Sequence, residues 1–557
     1  MIGHLFKYRV YIKIIIKMEK RSDYLFELSW EVCNKVGGIH TVITSKLEQV
    51  QKNFEHYYCV GPYFENSLTV FEYSDIPQEF KQSVKELEQI GIKLHFGIWK
   101  THTNPNTILV EYLGYGNHID EIKKSIWENY KVDSLNSNWY DFDEACLWSW
   151  SCGLAIDYLR KNYTNHTLLH AHEWMSGGSI AYLEDQEKEN ISTIFTTHAT
   201  MLGRTITGNL ENLYDLPKSY DFEKRAYDLG VHTKHQFESA LAHHANTFTT
   251  VSDITAKEAE LVYGKSVDVI IYNGFDYPKS EEELDLQFRD SRNTINTFLD
   301  TLSKDSYALN LPNTYIGYIS GRYEIHNKGV DVLIQALSKV NQKLKEENSN
   351  KTFVVWFMLM FGDSKYNQRF TDIKNNSTQK NHNDMLQTPH ELGFDNDVLK
   401  LFSESNLNNL EEDRIKVLLT PNNFTKGNDL IGLDYYELIT GMDIGILPSY
   451  YEPWGYTPAE SIACSTPCYT TDLSGIGRFE ELRNCSTALK VIPREGVEDE
   501  EFVDKLAAEL YHTINSSQKE QYELRIQAQK CAKLVSWERF YIRYLDAYDY
   551  SRKLKNL

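Results

Sequence analysis

Two cationic residues follow a short apolar segment in the middle of the chain. Arg322 and Lys328 lie six residues apart in the stretch GRYEIHNKG, directly after the apolar stretch IGYIS. Two fixed cations at such a position can hold a diphosphate and stabilise the negative charge that develops on a leaving group. The same stretch contains Glu324, so a solvent-exposed loop with a local ion pair explains this segment equally well.

A second candidate loop is YYEPWGYTPAE, residues 450–460. Thr457, Pro458 and Glu460 have the spacing of a helix start, with an N-cap, a first-turn proline and the glutamate of a capping box. A helix start that follows a glycine loop is also a potential anion site, because its first N–H groups lack intrahelical partners. Glu452 has no part in the capping pattern, and a carboxylate there suits sugar hydroxyls.

A glycine turn, NKVGG at residues 34–38, follows the first apolar stretch of the chain. Its glycines allow a phosphate to approach the backbone closely. The turn matches neither the dinucleotide-binding nor the P-loop pattern, and taken alone this segment is better explained as a tight turn between a strand and a helix.

Histidine and glutamate side chains end two further apolar stretches. His170, His172 and Glu173 end one of them, His198 ends the next, and Arg204 lies shortly beyond. Such residues could bind a metal ion, but the sequence does not place a third ligand beside them. Contacts with sugar hydroxyls and purely structural roles are therefore both favoured over a metal site.

Each of these loops follows a predicted buried strand, and predicted strands alternate with helices in two series. The first series begins at Tyr24 and the second at Tyr315. Such alternation predicts an α/β protein with mostly parallel sheets. Two doubly wound, Rossmann-like domains that face each other would place the ligand site in the cleft between them.

The predicted boundaries follow from this alternation and from changes in composition. We expect an upstream extension over 1–17 and a first domain over 18–305. We expect a second domain over 306–520, with an insertion of loops and exposed helices at about 366–430. The C-terminal helices, 521–557, are expected to pack back on the first domain.

Composition excludes several classes of partner. The chain has 557 residues, with 58 Lys and Arg against 79 Asp and Glu, so its net charge is −21. This charge opposes binding to nucleic acid and to anionic lipid. The apolar runs are shorter than the roughly 18 residues that a membrane helix needs. Eight scattered cysteines without metal spacing predict buried, reduced thiols, and together with the absence of a targeting pattern they predict a cytoplasmic location.

Taken together, these residues resemble the glycogen synthases of fungi and animals, a family of retaining glucosyltransferases. The resemblance runs in order from residue 24 to about 475, and the run YYEPWGYTPAE is its most specific part. The segments that carry it are FELSWEVCNKVGG (26–38), HEW (172–174), TTHATMLGR (196–204), FTTVS (248–252), Asn273-Gly274, GRYE (321–324), NKG (327–329) and 449–460.

The resemblance implies a GT-B architecture and transfer of glucose from a nucleotide-glucose, typically UDP-glucose, to the non-reducing end of glycogen or a malto-oligosaccharide. Retention of configuration is implied, without a cofactor and without a metal. By position, Arg322 and Lys328 match the pair that holds the donor diphosphate, and Glu452 matches the carboxylate beside the transferred sugar; these three are the implied catalytic residues. Substrate contacts, with Tyr435 on the base and Glu460 on the ribose, are implied for Lys35, Gly38, Glu173, His198, Arg204, Asn273, Tyr435, Tyr456, Thr457 and Glu460.

The sequence also departs from the family pattern. The regulatory arginine cluster that binds glucose 6-phosphate is reduced here to Arg525 and Lys530 among few other basic residues, so activation by that ligand is not expected. The insertion is shorter than the oligomerisation helices of the family, and a homo-oligomer is neither required nor excluded.

Three alternatives stay open at this point. A glucan phosphorylase would need a lysine that binds pyridoxal phosphate, and no lysine segment matches. A starch- or sucrose-type synthase would use another nucleotide or acceptor, and Tyr435 could stack on either base. A non-catalytic glucan-binding protein is disfavoured because Arg322, Lys328, Glu452 and Glu460 are all present.

Overall fold

Two β-sheets organise the chain, each built around a series of buried strands. The computed structural model describes residues 20–186, 190–303, 309–360, 397–421, 424–427, 430–485 and 487–555. The upstream extension predicted over 1–17 and the greater part of the predicted insertion lie outside the described residues.

The first sheet has nine strands in the order β3-β4-β5-β2-β1-β6-β7-β8-β9. Strand β4 is antiparallel to both β3 and β5, and the other pairs are parallel. The chain reverses its direction of winding between β1 and β6, so a crevice opens beyond the carboxyl ends of these two strands. The strands are β1 (Arg21–Leu28), β2 (Phe54–Pro62), β3 (Phe71–Tyr73), β4 (Lys93–Trp99), β5 (Asn106–Glu111), β6 (Thr167–His172), β7 (Ile191–Thr197), β8 (Thr247–Thr250) and β9 (Val269–Ile270).

The second sheet has six parallel strands in the order β12-β11-β10-β13-β14-β15. This is the doubly wound order, with its switch point between β10 and β13. The strands are β10 (Thr314–Arg322), β11 (Thr352–Met360), β12 (Ile415–Pro421), β13 (Ile444–Ile446), β14 (Cys468–Thr471) and β15 (Leu489–Ile492).

Helices cover both faces of the sheets. In the first part of the chain they are α1 (Gly38–Asn53), α2 (Lys81–Gln89), α3 (Ile119–Tyr130), α4 (Glu144–Arg160), α5 (Gly178–Asp185), α6 (Met201–Gly208), α7 (Phe222–Asp228), α8 (His232–His244), α9 (Asp253–Tyr263) and α10 (Glu281–Ser303). In the second part they are α11 (Val330–Glu346), α12 (Asp397–Glu404), α13 (Tyr435–Thr440), α14 (Tyr456–Ala463), α15 (Gly475–Arg478), α16 (Asp499–Ile514), α17 (Gln518–Ala532) and α18 (Trp537–Leu554).

Strand β11 shows why these strands are continuous apolar runs. Its sequence, TFVVWFMLM, is buried from Thr352 to Leu359. Alternate residues belong to two different cores: Phe353 and Phe357 pack with α11 on one face, while Val354 and Trp356 pack with α10 on the other. Because helices cover both faces, the strand carries no polar alternation.

Part of the stretch predicted as an insertion is integral to the second domain. Val398 and Phe402 of α12 are buried in its core. Strand β12 pairs in parallel with β11 and forms one edge of the sheet. For 397–404 and 415–421 the expectation of loops and exposed helices is therefore wrong, because two short apolar segments lie within a stretch whose overall composition is polar.

The C-terminal helices bridge the two domains. Helix α17 packs against α14 in the second domain, whereas α18 packs against α1 and the first sheet. Trp537 of α18 is fully buried and donates from Nε1 to Ser45 Oγ at 2.8 Å. Gly274 leaves room for this indole, since a Cβ there would lie 2.7 Å from Trp537 Cδ2.

One prediction about the cysteines is wrong. Cys485 and Cys531 form a disulfide, with their Cα atoms 5.9 Å apart, that ties a 3-10 turn at Glu480–Cys485 to α17. The two residues are 46 positions apart, so no local spacing in the sequence predicts that they pair. The other six cysteines are buried and free, as predicted. No helix in the described part of the chain combines the length and the apolar character that crossing a bilayer requires.

Candidate active site

The carboxyl ends of β1 and β6 face those of β10 and β13 across a cleft. Arg322 is the last residue of β10. A Cβ added to Gly37 would lie 3.2 Å from Arg322 Nη2, so the guanidinium reaches the glycine turn of the first domain. The two loops predicted to act on a phosphate therefore meet, although about 280 residues separate them.

Glu31 holds that glycine turn in place. Its Oε2 accepts hydrogen bonds from the backbone N–H groups of Gly37 at 2.8 Å and His40 at 2.9 Å, at the start of α1. Burial raises the pKa of Glu31, while these two bonds and the charge of Arg322 oppose the increase. The sequence prediction missed this residue, although it belongs to the same motif as Lys35 and Gly38.

Lys328 and Glu452 form an ion pair across the switch point of the second sheet. Both side chains are mostly buried, at 16% and 17% exposed. The contact brings the loop after β10 against the loop after β13. Gly329 makes this possible: its φ of 67° is left-handed, and a Cβ there would lie 2.1 Å from the Pro448 carbonyl oxygen.

Arg322, in contrast, remains open to a ligand. Its side chain is 44% exposed, and its guanidinium lies 3.7 Å from Glu324. An ion pair at that distance and exposure is weak. The two predicted cations thus differ: Lys328 has a close ion pair with Glu452, whereas Arg322 has only a weak one with Glu324.

The helix start next to this pair differs from the prediction. Helix α14 begins at Tyr456, its N-cap is Gly455 with φ 102°, and no side chain caps it. Thr457 lies inside the first turn rather than at the N-cap, so the capping box predicted for Thr457 and Glu460 is wrong. Gly455 adopts a left-handed conformation that other residues rarely adopt, and the helix therefore begins two residues earlier in the sequence than predicted. The uncapped first turn is free to face an anion.

Glu460 is instead held by the neighbouring helix. Tyr436 OH donates to Glu460 Oε1 at 3.2 Å. Burial raises the pKa of Glu460 to about 7, and Glu452 adds to the increase while Lys35 opposes it. Tyr435 lies beside the same carboxyl at the first turn of α13. Tyr436 was absent from the predicted set.

On the first-domain side of the cleft, Glu173 follows β6 in a strained backbone conformation. Its φ of 65° and ψ of 166° fall in a region that is nearly restricted to glycine. The carboxylate accepts from the His198 backbone N–H at 2.7 Å. Burial raises its pKa to about 7. Strain of this kind persists only where surrounding contacts enforce it, which favours a functional role.

Arg204 extends from α6 toward carboxylates of both domains. Burial would lower its pKa, but Tyr451, Glu173, Glu324 and Glu452 together raise it. The partly buried guanidinium is therefore a permanent positive charge in the cleft. Thr200 caps its helix by accepting from Gly203 N–H at 2.8 Å.

The remaining predicted contact residues differ in how accessible they are. Asn273 is buried, and its Oδ1 accepts from Tyr544 OH at 3.3 Å. Lys35 and Gly38 are exposed on the glycine turn, and Lys35 is close enough to lower the pKa of both Glu460 and His40. Tyr456 is partly buried at the start of α14.

Tyr451 joins the two domains beside the cleft. Its hydroxyl donates to Glu258 Oε1 of α9 at 2.8 Å. In the same loop, the Pro453 carbonyl oxygen accepts from Ser252 and from Thr255. The loop that carries Glu452 is thereby attached to the first domain as well as to the second.

Comparison with known proteins identifies the family. The family profile described as glycogen synthase matches residues 27–392 and 388–555.

The chain belongs to the glycogen synthase family.

Relatives of the chain include the liver glycogen [starch] synthase of Mus musculus, which is 28% identical over 581 residues, covering 94% of this chain and 82% of the relative. Isoform 2 of glycogen [starch] synthase from Saccharomyces cerevisiae is 26% identical over 607 residues, covering 95% and 86%. The protein is thus a glycosyltransferase of the glycogen synthase family, and the predicted family and enzyme class are confirmed.

Solved structures agree on the fold. The catalytic domain of starch synthase IV from Arabidopsis thaliana, bound to ADP and acarbose, has a TM-score of 0.55 at 12% identity, covering 95% of this chain and 99% of that one. An α,α-trehalose-phosphate synthase (UDP-forming) from Burkholderia vietnamiensis has a TM-score of 0.52 at 11% identity, covering 96% and 98%. The predicted GT-B fold is confirmed.

A buried polar cluster lies below the first-domain wall of this glycogen synthase family site. Glu27, His170 and His172 bring their ligand atoms within 4.8 Å of one another, the closest approach to a metal site among the described residues. The cluster does not fit a metal well, because Lys46 already forms an ion pair with Glu27. Both nitrogens of each histidine are also engaged in hydrogen bonds with protein groups.

The two residues singled out for regulation lie on α17 and differ in accessibility. Arg525 is 6% exposed, donates to the carbonyl oxygens of Thr440 at 3.2 Å and Met442 at 3.3 Å, and lies 3.8 Å from the centre of the Phe288 ring. Burial lowers its pKa to about 10. Lys530 is exposed. The guanidinium of Arg525 therefore stabilises the end of α13 in this structure.

Proposed function

We propose that the enzyme transfers glucose from UDP-glucose to the 4-hydroxyl group at the non-reducing end of an α-1,4-glucan, with retention of configuration. The observation that carries the proposal is the meeting of Arg322, the Lys328–Glu452 pair and the uncapped start of α14 at one switch point. Family membership supports a nucleotide-sugar donor and a glucan acceptor in general terms.

These groups suit the charges of glycosyl transfer. Cleavage of a glycosyl–phosphate bond leaves negative charge on the diphosphate and positive character on the sugar. Arg322, Lys328 and the helix start would stabilise the diphosphate, because cations and helix N-termini interact most strongly with a full negative charge. A bound diphosphate would compete with Glu452 for Lys328, leaving that carboxylate to accept from sugar hydroxyls.

The nucleoside would lie against α13 and the first turn of α14. Tyr435 offers a ring for stacking on the base, and Glu460 offers a carboxyl to the ribose hydroxyls. Tyr436 holds that carboxyl in position through its hydroxyl. The proposal favours UDP-glucose over ADP-glucose on the family resemblance, since stacking by Tyr435 suits either base.

The first domain would orient the transferred sugar and the acceptor. Glu173, His198 and Arg204 belong to that wall, and the Tyr451–Glu258 hydrogen bond joins the first domain to the second beside it. Retention requires attack from the face that the diphosphate leaves. In the proposed mechanism a leaving-phosphate oxygen accepts the proton of the acceptor 4-hydroxyl as the new glycosidic bond forms.

The test is glucose incorporation into glycogen, with UDP-glucose and ADP-glucose compared side by side, with and without EDTA. Strong incorporation from UDP-glucose that EDTA does not change would support the proposal. A clear preference for ADP-glucose would overturn the donor assignment alone. No product from either donor, in a sample that is folded by circular dichroism, would overturn the glucan acceptor or the transfer itself.

We further propose that glucose 6-phosphate does not activate this enzyme. Arg525 would have to leave two carbonyl oxygens and the Phe288 ring to reach a phosphate. The same incorporation assay, with a titration of glucose 6-phosphate, tests this point. Stimulation of several-fold that is lost in Lys530→Ala would show that the depleted cluster still functions.

A further inference from the structure

A chain of buried polar side chains runs from the core of the first domain to His198 at the cleft. Glu27 Oε1 lies 2.7 Å from His172 Nε2, and His172 Nδ1 lies 3.0 Å from His198 Nε2. Glu27 and His172 are almost fully buried, whereas His198 is partly exposed. His198 is therefore the end of the chain that a ligand in the cleft could touch.

The first link of the chain has only one possible direction. Glu27 also accepts from Tyr57 OH at 2.6 Å and forms an ion pair with Lys46. Burial alone would raise the pKa of Glu27, but Lys46 and His172 hold it well below its usual range. An ionised carboxylate only accepts hydrogen bonds, so the Nε2 of His172 must carry the proton of this link.

The direction of the second link follows from the neutrality of both histidines. Burial lowers the pKa of His172 and of His198, so each ring carries a single proton. With its proton on Nε2, His172 can only accept at Nδ1. His198 must then donate from Nε2, which leaves its Nδ1 without a proton.

The neighbouring histidine does not disturb this order. Thr249 donates to the Phe195 carbonyl oxygen, so the Thr196 hydroxyl donates to Thr249 and accepts from His170 Nε2. His170 Nδ1 then accepts from Tyr548 OH. Burial lowers the pKa of His170 as well, so its ring carries one proton, which is donated to Thr196 and not to His172.

We propose that Glu27 and His172 are positioning residues that fix the tautomer of His198, so that its Nδ1 faces the sugar as a hydrogen-bond acceptor. The inference rests on the proposed function and deepens it: His198 would select a sugar hydroxyl that donates. A neighbouring buried carboxylate is a common device for fixing the tautomer of a functional histidine.

The first test uses the unmodified enzyme. Nitrogen-15 NMR of histidine-labelled protein reports which ring nitrogen is protonated, and His198→Gln assigns the signal. We expect Nε2 of His198 to be protonated and Nδ1 bare. A protonated Nδ1 overturns the proposal. This measurement needs no glucosyl transfer, so it is independent of whether the proposed function is correct.

The second test compares monodeoxy and monodeoxyfluoro analogues of UDP-glucose as donors. Fluorine can accept a hydrogen bond weakly but cannot donate one. At the sugar position that His198 contacts, both analogues should lose about 10–100-fold in kcat/KM relative to UDP-glucose. That position is identified as the one at which this loss disappears in His198→Ala. A fluoro analogue that retains most of the activity there would show that His198 donates, and would overturn the proposal.

A pair of variants then tests the role of Glu27. The double variant Glu27→Gln with Lys46→Met removes both buried charges together, since removing one alone would leave the other unpaired. An amide at position 27 can donate as well as accept, which frees the tautomers of both histidines. We expect the His198 signal to become a mixture and the analogue discrimination to fall at least threefold. An unchanged signal with unchanged discrimination overturns the proposal.

Tyr57→Phe is the matched control. It removes one donor to the other oxygen of Glu27 and leaves the links to His172 and His198 intact. We expect the tautomer and the analogue discrimination of wild type in this variant. A change equal to that in the double variant would show that general disruption of the core, rather than the tautomer, controls the sugar contact, and would overturn the proposal.

Discussion

Arg322→Ala is expected to lower kcat about 10²–10³-fold while changing KM for the donor much less. The side chain is one of two cations at the proposed diphosphate position, and it is the one without a strong ion-pair partner. Loss of one preorganised charge-stabilising group costs roughly 2.7–4 kcal/mol of transition-state stabilisation. Lys328 and the start of α14 would still bind the ground-state diphosphate.

The same structure predicts a small effect on stability. Arg322 is 44% exposed and lies 3.7 Å from Glu324, so its ion pair contributes at most about 1 kcal/mol. Thermal unfolding of the variant should follow that of wild type within about 3 °C. Arg322→Lys keeps a charge but loses the planar fork, and we expect a loss of about tenfold.

The assay is initial-rate incorporation of glucose into glycogen at varied UDP-glucose, with melting curves of the same samples. Arg539→Ala is the matched control, because Arg539 is 39% exposed, pairs with Glu481 and is not among the residues assigned to the site. We expect wild-type kinetics from it. Turnover by Arg322→Ala within fivefold of wild type would refute the assignment of Arg322 to the leaving group.

Three further predictions concern pH, the disulfide and packing. Glu460 has a pKa of about 7 in the folded protein against 4.5 in the unfolded chain. The raised pKa therefore stabilises the fold fully below about pH 4.5, and this stabilisation is lost as the pH rises through 7. Glu460→Gln should therefore gain stability relative to wild type by on the order of 3 kcal/mol between pH 4.5 and 8; parallel melting curves across that range would contradict the burial of this carboxyl. Cys485→Ser opens a loop of 46 positions and should lose up to about 4 kcal/mol of unfolding free energy without reductant, and dithiothreitol should then affect wild type but not the variant in denaturant titrations. Gly274→Ala places a Cβ 2.7 Å from the Trp537 ring and should lower the unfolding free energy by roughly 1–3 kcal/mol, whereas Gly116→Ala, whose nearest neighbour would be 3.9 Å away, should melt like wild type.

Much of the fold could be predicted from local patterns. Strand β10 was recognisable because helices cover both of its faces, so that the strand is buried from Thr314 to Ser320 and is mostly apolar. The helix after Ser252 was recognisable because its hydroxyl caps the first turn, accepting from the Thr255 N–H. Short-range rules of this kind depend only on residues a few positions apart.

Elements that depend on distant partners escaped prediction. Strands β3, β4 and β5 pair antiparallel at one edge of the first sheet, and their sequences alone do not show which strands they pair with. Strand β12 is short and lies among polar residues, so only its pairing with β11 identifies it. Glu31 stands in the same motif as Lys35, and Tyr436 stands next to Tyr435, but the roles of both appear only through the atoms that they contact.

The residues alone predict the alternation of strands and helices, the chemical types available at each strand end, and a family motif specific enough to imply a glucosyltransferase. Which charges are paired becomes known only when the folded arrangement is known. That arrangement couples Lys328 to Glu452, leaves Arg322 open, and orders the protons from Glu27 to His198. The physical reason is distance along the chain: periodicity and capping act over a few residues, whereas the charge and the tautomer of a side chain depend on neighbours that folding brings from more than a hundred positions away.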